Sequence, residues 1–178
     1  ATSTPTAEPA ATEPPPAEER AHGGILSLHA SSVDLPSLDP HRESPSTFLA
    51  PLSGVYNTLV REDPEGSHQI VSDLATEWKL SEDGSEWTFS LHSGVQFHDG
   101  GLFTSKDVKA PLATLLDPEF KRPRGGGTLR PLVEAVTTNG DHEVKITTKF
   151  PTPLLLSGVS SDWVKIYKAD IVNDRERD

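Results

Sequence analysis

The side chains best suited to chemistry are the histidines with acidic neighbours, His92, His98 and Asp99, and the cluster Asp141-His142-Glu143. Imidazole nitrogens and carboxylate oxygens are zinc donors, but a zinc site needs three or four converging ligands, each oriented by a second hydrogen bond. Residue alternation puts His92 on the outer face of a strand, and His98-Asp99-Gly100 reads as a turn, so these donors do not converge. Asp141-His142-Glu143 follows the turn pair Asn139-Gly140 and is read as solvated in the same way. Ser157 to Ser161 supplies hydroxyls without a His–acid partner, and no Gly-Lys-Ser/Thr loop exists to cradle phosphate. The stretch Arg122 to Arg130 could attract an anion but reads as solvated arginines among glycines. With no cysteine, thiolate catalysis, disulfides and cysteine-based zinc sites are excluded within this chain. The residues therefore predict no catalytic constellation, no metal and no cofactor.

The elements that carry these residues follow from composition and periodicity. At 178 residues the chain is long enough for one real core, and its net charge is −11 without a basic run. That balance argues against a nucleic-acid partner and against electrostatic binding to anionic lipid. No apolar run reaches the length of a membrane span. Residues 1–22 are rich in Pro, Ala and Thr and contain no Ile, Leu, Val or Phe, which predicts a disordered tether with polyproline II character. Residue 1 is Ala and methionine is absent, so a processed mature chain or a fragment is expected.

From Gly23 the pattern turns globular. Ile25 to His29 reads as an opening strand and Leu35 to His41 as a proline-bounded loop. Phe48, Leu52, Val55 and Leu59 recur at helical spacing, which predicts an amphipathic helix over 47–60. Trp78 to Leu91 reads as a hairpin in which Trp78 faces Trp87 across a loop of Ser81 to Gly84, with Trp87, Phe89 and Leu91 on the buried face. Thr104-Ser105-Lys106-Asp107 has the form of a capping box with Asp for Glu, opening a helix that ends near Asp117-Pro118. Pro111 within it predicts either a kink or a later start. Lys121 to Gly127 reads as a flexible loop. A second hairpin turns at Asn139-Gly140, followed by a short apolar helix in Pro153 to Val159 and a mixed element from Trp163 to Val172.

Several of these pieces, in this order, resemble one family. They are Gly23-Gly24-Ile25-Leu26, Leu38-Asp39-Pro40-His41, Val55 to Val60 and Val71 to Trp78. The series continues with the tryptophan hairpin, Gly94 to Gly101, Phe103 to Val108, Leu115-Leu116-Asp117-Pro118 and Pro151-Thr152-Pro153. The succession is similar to the extracytoplasmic solute-binding proteins of peptide and nickel ABC transporters. Ala110 and Pro111 depart from the family, which usually has an aromatic and a small polar residue there.

The resemblance implies a mixed α/β fold, the N-terminal lobe of a two-lobed, type II periplasmic-binding-protein architecture, with residues 23–178 ending before the second lobe. It implies a binding protein rather than an enzyme, capturing a peptide or another small solute such as a nickel chelate outside the cytoplasmic membrane. The implied partners are that ligand and the permease subunits, with the membrane reached only through a lipid anchor upstream of the tether. By the same resemblance the loop after Asp39-Pro40 faces the cleft. His41 lies there, Glu43 would receive a peptide's amino group, and Ser44, Ser46 and Thr47 would hydrogen-bond its backbone. Trp163 and Lys165 form a second candidate segment. The competing reading is a structural or adhesive cell-surface domain, or a non-functional remnant of a binding protein.

Overall fold

The computed structural model describes Ile25, Ser27 and residues 39–41, 52–119 and 125–175. Strands β1 (Val60–Glu62) and β2 (Ile70–Ser72) form a small antiparallel ribbon. A four-stranded antiparallel sheet follows, built from β3 (Ala75–Leu80), β4 (Glu86–Leu91), β5 (Val133–Thr138) and β6 (Glu143–Thr148) in the order β3-β4-β6-β5. The helices are α1 (Ser105–Leu116), α2 (Gly125–Leu129), α3 (Leu155–Val159) and α4 (Ala169–Arg175).

The central strands β4 and β6 alternate strictly between buried and half-exposed residues. Their inner face carries Trp87, Phe89, Leu91, Val144 and Ile146. These join Val108, Leu112 and Leu115 of α1, with Leu129, Leu155 and Val159 from the short helices, in one core. A large apolar side chain buried in this way contributes about 1.5–3 kcal/mol, so sheet and α1 depend on each other. At the core margin Trp87 Nε1 donates to the Thr152 carbonyl at 3.3 Å.

The first hairpin has the expected strands and the expected buried face, but not the expected register. Leu80 faces Trp87 and Trp78 faces Phe89, so the two tryptophans are not opposite each other. The Ser81 N–H donates to the Glu86 carbonyl at 2.8 Å, which leaves Glu82 to Ser85 as the loop. Asp83 sets that length. Its carboxylate accepts from the hydroxyls of Ser81 and Ser85 and from the Ser85 N–H, while Gly84 takes φ +73°.

These bonds, that from Ser81 first, hold the Asp83 carboxyl down to about 2, below its ordinary 3.8. A folded-state pKa below the unfolded one stabilises above the unfolded value and is lost as pH falls through the folded one. The stability advantage of the native chain over Asp83→Asn is therefore expected to be full above about pH 4 and to vanish toward about pH 2. Paired thermal melts across that range check it, and a difference independent of pH would contradict it.

Two further expectations change, and one open choice is decided. The helix over 47–60 does not extend through its second half: helical residues end at Ser53, Gly54 and Val55 turn, and Val60 already belongs to β1. Asn57 is drawn into a bridge with Ile166, a long-range pairing that outweighs local periodicity. Residues 47–51 lie outside the described residues. Helix α1 starts at Ser105 and runs through Pro111, excluding the later start. Its first turn is fixed by Asp107, whose Oδ2 accepts from the Thr104 N–H at 2.8 Å. Finally, Gly125 to Gly127 of the glycine-rich stretch are helical. A Cβ at Gly126 would stand 2.6 Å from the Leu115 carbonyl oxygen, so glycine lets α2 close onto the end of α1. Of the opening strand only Ile25 and Ser27 are described, neither in a strand, and the tether lies outside the described residues.

Candidate functional site

The segment after α3 passes beside Tyr56 and Asn57 and pairs with it. The Ile166 N–H donates to the Asn57 carbonyl at 2.9 Å. Asp73 fixes the other side of this junction, accepting from Asn57 Nδ2 at 2.7 Å and from the Thr58 N–H at 2.8 Å. Tyr56 and Asn57 thereby become the shared wall of two cavities.

One cavity is apolar, about 280 Å³, and bounded by Leu74, Phe97, Phe103, Tyr167 and Ile171. Phe97 and Phe103 meet edge to face, 6.1 Å between centroids, because the turn at His98 to Gly101 folds the chain back on itself. At its rim Lys168 Nζ lies 2.7 Å from Asp99 Oδ2. The hydrogen bond from Lys168 is the main cause that lowers the Asp99 carboxyl, and the same bond raises Lys168. Asp99 also accepts from the Gly101 N–H at 2.9 Å, so its role is to close the turn.

The other cavity is polar and larger, about 630 Å³. Its walls include Ser53, Arg61, Asp73, Ser157, Asp162 and Lys165. Lys165 is 4% exposed, and its Nζ lies 2.6 Å from Asp162 Oδ1. Hydroxyls and a charge pair around an open volume suit a small polar solute, held by hydrogen bonds and charge rather than by apolar burial alone.

The predicted site residues separate. Lys165 lines the polar cavity. His41 is buried behind the apolar one, its Nδ1 3.2 Å from the Tyr167 hydroxyl and its ring 4.9 Å from the tyrosine ring. Its N–H donates to Asp39 Oδ1 at 2.9 Å. Trp163 is half-buried, with its N–H 3.4 Å from Ser161 Oγ, and lines neither cavity. Glu43, Ser44, Ser46 and Thr47 lie outside the described residues. Sequence reasoning missed Asp73, Ser157 and Asp162. Asp162, three residues before Lys165, was the one with a visible signal, an opposite charge within reach.

The mixed α/β architecture with antiparallel sheets belongs to the type II periplasmic binding proteins. It superposes on the ABC transporter-associated periplasmic binding protein of Helicobacter pylori in complex with the peptide STSA, with a TM-score of 0.67 and 24% identity. That alignment covers 79% of this chain and 30% of the other. Residues 69–177, more than half of the chain, match the bacterial extracellular solute-binding proteins, family 5 Middle, and the chain belongs to that family. It is 30% identical to di/tripeptide-binding protein 2 of Pseudomonas aeruginosa, over 74% of this chain and 28% of the relative. It is 35% identical to the nickel-binding periplasmic protein of Escherichia coli, over 48% of this chain and 16% of that protein. The matched part of the chain thus spans 28% and 16% of the length of these relatives. Among the described residues, no helix is long and apolar enough to cross a membrane.

Proposed function

We propose that the protein is the substrate-binding component of an ABC importer, capturing a small solute outside the cytoplasmic membrane and presenting it to permease subunits. Membership of the extracellular solute-binding family carries this reading, and the polar cavity around Lys165 gives it a physical locus. Peptide is the favoured ligand class, because three of the relatives matched over most of this chain are named for di- or tripeptides, against one named for haem and one for glutathione. Lys165 meets the ligand from the cavity wall, Trp163 shapes the segment that carries it, and the loop opening at His41 supplies Glu43, Ser44, Ser46 and Thr47, with Glu43 receiving the peptide's amino group. Residues 23–178 serve as the N-terminal lobe, and 1–22 as a tether leading to a lipid anchor. The role is binding, not catalysis: the solute shifts an open–closed equilibrium by its unequal affinity for the two states.

Native mass spectrometry of the encoded protein, purified gently from source cells, tests this reading. A bound small molecule, released on denaturation and carrying amino-acid building blocks, is expected. Bound polysaccharide or surface polymer in its place would favour the adhesive reading.

A further inference from the structure

The Lys165 side chain is only 5% exposed, yet its ammonium has one hydrogen-bond partner among the described residues, Asp162 Oδ1. An ammonium carries three donors, and a buried charge is stabilised only when its remaining protons are also met. The competing carboxylates are engaged elsewhere. Asp73 is held by Asn57 and Thr58, and Glu62 lies 2.7 Å from His68 Nδ1. Asp162 itself is more than half exposed, so the one anion on Lys165 sits toward solvent while the cation lies inside. Beside it the Ser157 and Ser161 hydroxyls line the same cavity, and neither donates to a described residue. An ammonium with unmet protons beside two hydroxyls free to donate favours an acceptor-rich, anionic occupant at this end of the cavity.

We infer that the polar cavity is a carboxylate site, in which Lys165, with Ser157 and Ser161, receives the carboxylate of a small solute while Asp162 holds the ammonium in place until the ligand arrives. This deepens the proposed function, on which its reading as a ligand subsite rests. The cavity, about 630 Å³, has room for a short peptide's carboxylate end and its last side chain. Lys165 acts as a point charge, so selectivity among oxyanions falls to the hydroxyls and to Arg61 on the same wall.

The test uses the encoded protein and the smallest probe, acetate, in thermal melts at constant ionic strength against chloride, with inorganic phosphate as a second probe. The wild type is expected to melt about 2 °C higher in acetate than in chloride, since a ligand bound only by the folded state raises the melting temperature. Lys165→Met should abolish that shift. Asp162→Asn, which removes the competing carboxylate from an exposed position, should enlarge it and keeps the inference testable if Lys165→Met does not fold. An absent acetate shift, or the same shift in Lys165→Met, would overturn the site, and a larger response to phosphate than to acetate would overturn its carboxylate preference. Trialanine and its C-terminal amide separate the two levels. An acetate response without trialanine binding would sink the peptide reading and leave the carboxylate site standing. Equal binding of trialanine and its amide would leave the peptide reading and remove Lys165 from it.

Discussion

Phe89→Ala is expected to destabilise the fold by about 3–5 kcal/mol, the range for deleting a fully buried phenylalanine side chain. Phe89 is completely buried at the middle of β4, with Trp78 opposite on β3 and Val144 opposite on β6. Its ring stacks near Trp87, 6.4 Å between centroids. Strand neighbours on both sides fix the backbone, so the site cannot collapse to fill the void, and the larger end of the range applies. A domain of this size holds roughly 5–15 kcal/mol in total, so the loss removes a large share of the stability. Urea unfolding followed by tryptophan fluorescence measures it. Phe150→Ala is the control: with that side chain 48% exposed, a change within about 0.5 kcal/mol is expected. Equal losses at the two positions would mean that the sheet face assigned here is not the core.

Asp107→Ala is the second large effect and the one that reaches the candidate site. Asp107 is buried, and its carboxylate has two duties. Oδ2 accepts from the Thr104 N–H and hydroxyl at 2.8 and 3.1 Å, and Oδ1 accepts from the Ala169 N–H at 2.9 Å. The first duty caps α1. The second ties the start of α4, and with it the chain that carries Lys165 to Lys168, onto α1. Removing a cap costs roughly 0.5–2 kcal/mol, and leaving a partner of a charged acceptor unmet adds a comparable amount, so about 1–4 kcal/mol is expected. The diagnostic readout is hydrogen exchange at the Ala169 amide, which should lose protection beyond the global loss of stability. Asp107→Asn, which keeps an acceptor oxygen, should recover part of it. Unchanged Ala169 exchange in Asp107→Ala would show that α4 is held by other contacts.

What could be read in the sequence was whatever local chemistry decides. The alternation of Trp87, Phe89 and Leu91 announced the buried face of β4, and Asn139-Gly140 announced the β5–β6 hairpin, because each pattern is tied to a backbone geometry. Thr104 to Asp107 announced the start of α1 for the same reason. The failures come where a longer-range or less local contact won. Asp83, gathering Ser81 and Ser85, reset the hairpin loop, and the pairing of Asn57 with Ile166 unwound a helix that periodicity alone predicts. The site was legible only in part. Lys165 was visible as a candidate, but its burial, its partner Asp162 and the cavity shared with Asp73 depend on segments distant in sequence. The contact of His41 with Tyr167, which borders the apolar cavity, likewise joins segments far apart in sequence.

The central claim, capture of a small solute, is tested most directly by calorimetric titration of the encoded protein with a panel of dipeptides, tripeptides, a nickel–histidine chelate and haem. Saturable one-to-one binding of a di- or tripeptide, with Kd of about 1 μM or tighter, is predicted. Failure of every member of the panel to bind below about 1 mM would contradict it.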